Sequence, residues 1–193
     1  MKKLVFQLST GVCLLLSLPL AAQDDKIIGG EPVTARQRPW VVKIHRNGKG
    51  HCTGSLIAKQ WMITAAHCFS RARAPYGEFA LGGGGDGQFS NLLSLPSIKQ
   101  VFIHPNYRGD QTTAQDLALV KLERPVQPST TLAPIPLKNL TSTSLGHGPQ
   151  ASIAAWGMTD SRGTLPTQLQ SLTLPVKRTT ELTDVPDYFR QNP

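Results

Sequence analysis

Long apolar runs are missing from this 193-residue chain beyond its amino terminus, and the one found there is broken by Gln7, Ser9, Thr10 and Ser17, so a membrane-spanning helix is not expected. Charge is also sparse. Asp, Glu, Lys and Arg make up 17% of the residues, below the usual quarter, while about 46% are apolar once glycine is added and tyrosine left out, which excludes disorder for the chain as a whole. Aromatics amount to 6%, and the net charge of +8 is scattered, with Arg71/Arg73 and Lys177/Arg178 as the tight basic pairs. A nucleic-acid surface needs a basic stripe interleaved with aromatics; no nucleic-acid partner is expected, and the charge reads as solubility or a weak preference for anionic surfaces. The glycine run 82–85 is not followed by Gly-Lys-Ser/Thr and is expected to be a surface turn, not a phosphate loop. No ligand spacing such as His-Glu-x-x-His links His51, His67, His104 or His147, so no metal or cofactor is expected.

Cysteine occurs three times, and its meaning depends on the first residues. Lys2 and Lys3, a leucine-rich stretch to Leu20 and small Ala21 and Ala22 have the charged, apolar and cleavage regions of a secretory leader. Residues 1–22 are therefore expected to leave on export, giving a secreted or periplasmic product with no membrane attachment. A lipid anchor at Cys13 fits the preceding Thr10, Gly11 and Val12 poorly, and the apolar run continues past it. Once the leader is gone, only Cys52 and Cys68 remain, an even number in an oxidising compartment. Either they form one disulfide, closing a loop of about 16 residues for roughly 3 kcal/mol in the chain-entropy model, or they stay as two buried thiols.

Glycine and proline together reach about 17%, above the roughly 12% average, which favours a turn-rich β protein. Short runs of branched and aromatic residues, at 40–44, 55–58, 61–64, 97–103 and 117–122, are separated by Gly, Pro, Asn or Asp and predict the strands of a sandwich or barrel. The Pro-, Ser- and Thr-rich stretch 123–148 reads as a connecting strap. Beyond it, 151–156 and 169–176 predict two strands, too few to close a sheet or stand alone in water.

Chemistry concentrates in two strings. Thr64-Ala65-Ala66-His67-Cys68 (TAAHC) follows the apolar strand 61–63, and Asp116 opens DLALVKL about 50 residues later. With CTGSLI at 52–57, HPNY at 104–107 and Ala155-Trp156-Gly157, the chain resembles the chymotrypsin/trypsin family of serine proteases from Ile27 to about Val176, with Thr53 and Ala155 replacing usual glycines. The resemblance implies an all-β fold: a first barrel over about 27–122, the strap over about 123–148, and a partial second barrel over about 149–193. It implies His67 as general base, Asp116 as the buried carboxylate that orients it, and a Cys52–Cys68 bridge. A serine hydroxyl is a poor nucleophile until a nearby base takes its proton, a task suited to imidazole. A carboxylate on its other nitrogen fixes the tautomer and stabilises the imidazolium, a mechanism known from this same family.

Asp24-Asp25-Lys26 before Ile27-Ile28-Gly29-Gly30 is similar to a zymogen activation site, with 23–26 as the activation propeptide. Cleavage after Lys26 by an activating protease would expose an Ile27 ammonium, which in the family pairs with the aspartate preceding the nucleophile. That nucleophile lies in a Gly-Asp-Ser-Gly-Gly motif, and no Gly-x-Ser-x-Gly occurs in these 193 residues. The 167 residues from Ile27 fall short of the roughly 200–250 of a double-barrel unit. The expectation is a secreted trypsin-like endopeptidase acting on protein or peptide substrates, represented by a truncated, inactive chain. The alternative is a non-catalytic protease-like binding module, although retention of His67, Asp116 and the activation sequence argues against it.

Overall fold

The computed structural model describes residues 29–109, 115–137, 150–159 and 164–176. Its strands are β1 (Glu31–Pro32), β2 (Val41–Arg46), β3 (Lys49–Ala58), β4 (Trp61–Thr64), β5 (Phe79–Gly83), β6 (Leu93–Ser94), β7 (Ile98–Ile103), β8 (Ala118–Leu122), β9 (Gln150–Ala155) and β10 (Gln170–Pro175). Short 3-10 turns at Ala66–Cys68 and Phe89–Asn91 are the only helical segments among the described residues. Fold class is thus all-β, as the strand spacing and the resemblance lead one to expect.

Seven strands form an antiparallel sheet in the order β6-β5-β2-β3-β4-β8-β7. Asn47 and Gly48, both at positive φ, make the two-residue hairpin between β2 and β3, because a turn of this kind matches the right-handed strand twist. The outermost strands β6 and β7 are separated in sequence by residues 95–97 alone, a span of roughly 14 Å at most, so the sheet must curl on itself. Its concave face collects alternating apolar residues: Val42 and Ile44 of β2, Leu56 of β3, Met62 of β4, and Val120 and Leu122 of β8 are all fully buried. Gly54 is required by that closeness, since a Cβ there would lie 2.7 Å from Met62 Sδ and 3.0 Å from the Ile63 carbonyl oxygen.

Two expectations change at this point. The glycine run is not a surface turn throughout: Gly82 and Gly83 belong to β5 and, with Gly84, are buried. A Cβ on Gly83 would meet Leu132 Cδ1 at 3.1 Å and Val41 O at 3.2 Å, so glycine serves close approach here. Only from Gly84 and Gly85, at φ 69° and 65°, does the chain turn. The strap, over its described part, is also more than a connector. Val126 and Leu132 enter the core, and the N–H groups of Val126, Ala133 and Ile135 donate to the carbonyls of Lys59, Pro39 and Leu56.

The second sheet has the order β1-β10-β9. The sequence predicts the last two; the third strand comes from Glu31–Pro32, far upstream, where an edge position tolerates proline. This sheet covers the outer face of β2, with Val41, Trp156 and Leu169 as its small core and the Trp156 indole N–H donating to the Gly87 carbonyl at 3.1 Å.

Candidate active site

The register of the first sheet assembles the site. β4 and β8 are antiparallel neighbours with Thr64 opposite Ala118, so the residues just after β4 and just before β8 emerge at the same end. The Thr64 hydroxyl donates to the Thr53 carbonyl (2.9 Å), anchoring the end of β4 to β3. Ala66 is fully buried, and the 3-10 turn Ala66–Cys68 turns His67 outward and Cys68 inward. Opposite it, Gln115 at φ 55° and the bond from Leu117 N–H to Gln115 O form the tight turn that presents Asp116.

One carboxylate holds His67 twice. The His67 backbone N–H donates to Asp116 Oδ1 at 2.8 Å, and the ring Nδ1–H donates to Oδ2 at 2.7 Å. Partial burial works against ionisation of Asp116, but the ring bond, the His67 backbone N–H, the histidine's charge and the Ala66 backbone together hold its carboxyl below the ordinary aspartate range. The carboxylate side chain is 28% exposed and the ring 53%, more open than the buried carboxylate the resemblance implies, because both stand at the mouth of the sheet and not within it. Chemically, the arrangement fixes a proton on Nδ1 and leaves Nε2 as the ring nitrogen that can serve as a base.

Cys52 and Cys68 are joined in a disulfide, so the free-thiol alternative is not realised. Its sulfurs lie 3.6 Å (Cys68) and 3.9 Å (Cys52) from His67 Nε2. These three side chains cluster as metal ligands do, but sulfur engaged in a disulfide offers no thiolate to an ion. Two further histidines are held structurally: His51 Nε2–H donates to the Cys68 carbonyl at 2.9 Å, and His104 Nδ1 accepts the Asn106 N–H at 3.2 Å within the HPNY turn. Lys26, Ile27 and His147, together with the leader, lie outside the described residues.

His67 faces a cleft of about 300 Å³ between the sheets, lined also by Lys43, His51, the disulfide, Trp156, Gly157 and Leu165. Sequence reading missed Lys43. The signal was available, since a lysine inside VVKI interrupts a strand otherwise apolar at every position from Trp40 to Ile44.

The family model for trypsin matches residues 27–191. The chain is 34% identical to granzyme M of Homo sapiens over 155 residues, 78% of this chain and 57% of the relative. It is 35% identical to trypsin of Sus scrofa over 156 residues (79% and 63%), and 32% identical to the serine proteinase stubble of Drosophila melanogaster over 173 residues (81% and 21%). An all-β fold with a histidine–aspartate pair at one end of a curled sheet is the architecture the resemblance implies. The chain belongs to the chymotrypsin/trypsin-like serine protease family, and it spans between half and two thirds of the length of the granzyme M and trypsin it matches.

Proposed function

We propose that this chain is the base-bearing part of a secreted, trypsin-like serine endopeptidase that hydrolyses protein or peptide substrates. The observation that carries the reading is the double hydrogen bond of Asp116 to His67. In this role Nε2 of His67 takes the proton of an attacking hydroxyl and returns it to the leaving amine, while Asp116 holds the tautomer and stabilises the imidazolium. Residues 1–22 serve as leader and 23–26 as propeptide, and an activating protease cuts between Lys26 and Ile27. The domain then runs from residue 27, its first barrel ending near 122.

The 193 residues contain no Gly-Asp-Ser-Gly-Gly, so on their own they provide a base without its nucleophile, and their hydrolysis of peptides and esters is at background even after cleavage at Lys26. Joining a family-typical carboxyl-terminal segment that carries the motif is expected to produce turnover, and His67→Ala to abolish it. Robust His67-dependent hydrolysis by the 193-residue polypeptide alone would overturn this account. The alternative reading is a non-catalytic protease-like binding module. Failure of the joined chain to turn over, with the His67–Asp116 bond intact, would select it.

A further inference from the structure

The atoms around the disulfide stand where a tetrahedral metal ion needs its ligands. A zinc ion with Zn–S of about 2.3 Å and Zn–N of about 2.0–2.1 Å sets sulfur and nitrogen about 3.6 Å apart, and two sulfurs about 3.8 Å apart. Cys68 Sγ lies 3.6 Å and Cys52 Sγ 3.9 Å from His67 Nε2. Both distances come close to those of a zinc site as they stand, and only the sulfurs have to part, which breaking the bond between them allows. The imidazole is prepared for the same role, because a metal-bound histidine ordinarily donates its other ring N–H to a carboxylate. Here Nδ1–H donates to Asp116 Oδ2 at 2.7 Å, which leaves the Nε2 lone pair to the sulfur side.

Opening the bridge does not scatter these ligands. Cys52 sits in β3, paired with Ile44 of β2. The Cys68 carbonyl accepts the His51 Nε2–H at 2.9 Å, and the His67 backbone N–H is held by Asp116 Oδ1 at 2.8 Å. Each of the three backbones is thus fixed without help from the S–S bond, by residues of the first sheet and its turns. Reduction is a two-electron exchange with a dithiol. One of its thiolates attacks a disulfide sulfur, the S–S bond breaks, and the other cysteine leaves as a thiolate with the electron pair. The second thiol then displaces the first sulfur, so that the dithiol ends as a disulfide and the protein as two thiols. Binding of Zn²⁺ releases their two protons to solvent.

We propose that the dithiol form of Cys52 and Cys68 is a zinc site, with the two thiolates and His67 Nε2 as three ligands and a water in the fourth position. The bridge then works as a redox gate. Oxidised, it offers no thiolate and leaves Nε2 free; reduced and loaded, it has an ion on the lone pair that would accept a proton. A chain made in a reducing compartment and exported to an oxidising one passes through the dithiol form first. The ion holds the base silent there until exchange with a disulfide closes the bridge. This consequence rests on the protease reading, whereas the metal site itself does not.

Zinc titration of the 193-residue chain tests this without requiring turnover, with Cys13→Ser so that no third thiol takes part. One sample keeps the bridge, and the other is reduced with dithiothreitol and freed of it in the absence of oxygen. Competition with a chromophoric chelator is expected to show one zinc per reduced chain and none on the bridged chain at the same concentration. Cobalt(II) in place of zinc should give thiolate-to-metal charge-transfer absorbance and the visible bands of tetrahedral coordination. Asp116→Asn, which turns the ring proton to Nε2, should weaken zinc about 10–100-fold, and His67→Ala should weaken it further and shift the cobalt bands. Equal zinc uptake by bridged and reduced chains would overturn the site, showing adventitious binding only. Uptake by the reduced chain that His67→Ala leaves unchanged would overturn the role of His67, and no uptake by the reduced chain would overturn the site outright. Far-ultraviolet circular dichroism of the reduced, metal-free chain reads whether the sheet persists. If it does not, zinc should restore the spectrum of the bridged chain, and failure to restore it would equally overturn the site. Hydrolysis by the joined chain is a separate measurement, so the protease reading can fail or stand independently of these results.

Discussion

Replacing Asp116 by asparagine keeps the shape of the side chain and inverts one of its hydrogen bonds. The carboxylate now accepts from the His67 backbone N–H at 2.8 Å and from the ring Nδ1–H at 2.7 Å. Asparagine has one oxygen to give. If that oxygen stays on the backbone N–H, the amide NH₂ faces Nδ1, which must then accept, and the ring proton moves to Nε2. A hydrogen bond to a charged group contributes about 1.5–3 kcal/mol, but the ring is 53% exposed and the carboxylate 28%, so water screens and replaces part of it. A stability loss of about 1 kcal/mol is expected from Asn, and about 2 kcal/mol from Asp116→Ala, which deletes both bonds. Nitrogen-15 NMR of the histidine side chains at about pH 8 reads the tautomer, and urea unfolding reads the stability. The expected outcome is Nδ1–H in the wild type, Nε2–H in Asp116→Asn and a mixture in Asp116→Ala. An unchanged tautomer in Asp116→Asn, with unchanged stability, would refute the view that this carboxylate sets the state of the base.

Acid titration offers an independent check, because a carboxyl held below its ordinary value contributes stability above the unfolded pKa of about 3.9 and loses it as pH falls through the lower folded value. Stability measured from about pH 6 downward should therefore decline below about pH 4, and Asp116→Asn should reduce that slope without removing the share from Asp86, whose carboxyl is also lowered by Asn91 and Gln88. Gly54→Ala should destabilise by about 1–3 kcal/mol, since the new methyl meets the fully buried Met62 and the Ile63 carbonyl; thermal unfolding measures it, and a neutral effect would contradict the tight β3–β4 contact. Alkylation and mass analysis of the exported chain should find Cys52 and Cys68 unmodified, and the Cys52→Ala/Cys68→Ala pair should lose about 3 kcal/mol against urea.

Local chemistry made most of the first sheet and strands β9 and β10 legible, and long-range packing hid the rest. Strands β2, β4, β7 and β8 announce themselves as branched, apolar runs between turn residues, and TAAHC and DLALVKL carry His67 and Asp116 together because β4 and β8 pair. β5 does not, because Gly82 and Gly83 read as turn formers until Leu132 and Val41 are seen pressing against them. The strand role of Glu31–Pro32 is equally invisible, since it depends on pairing with Ser171 and Gln170, some 140 residues away. Lys43 escaped for a different reason. A lysine in a strand is ordinarily a solvent-facing residue, and only the tertiary packing that lays its stem against Gly50 and its head near Phe89 makes it a buried one.

The base and the surface it works on therefore belong to different parts of the fold. His67 and Asp116 are fixed by the β4–β8 register within the first sheet, where a one-residue slip would send Asp116 to the other side. The opposite wall of the cleft, Trp156, Gly157 and Leu165, is held to the first sheet through Val41, Leu169 and the bonds from Trp156 Nε1–H and Leu169 N–H to Gly87 O and from Phe89 N–H to Thr167 O. Trp156→Phe keeps an aromatic ring in the small core but removes one of the two donors to the buried Gly87 carbonyl, which retains the Leu169 N–H at 2.9 Å, a loss of about 0.5–1.5 kcal/mol. Because this core has three buried apolar members among the described residues, the wall should loosen as a unit, with faster amide exchange in β9 and β10 and weaker binding of any cleft ligand. The His67 tautomer should not change. Loss of the Nδ1–H resonance in Trp156→Phe would show that the acid–base pair depends on both sheets, and the division of labour argued from the register would fall.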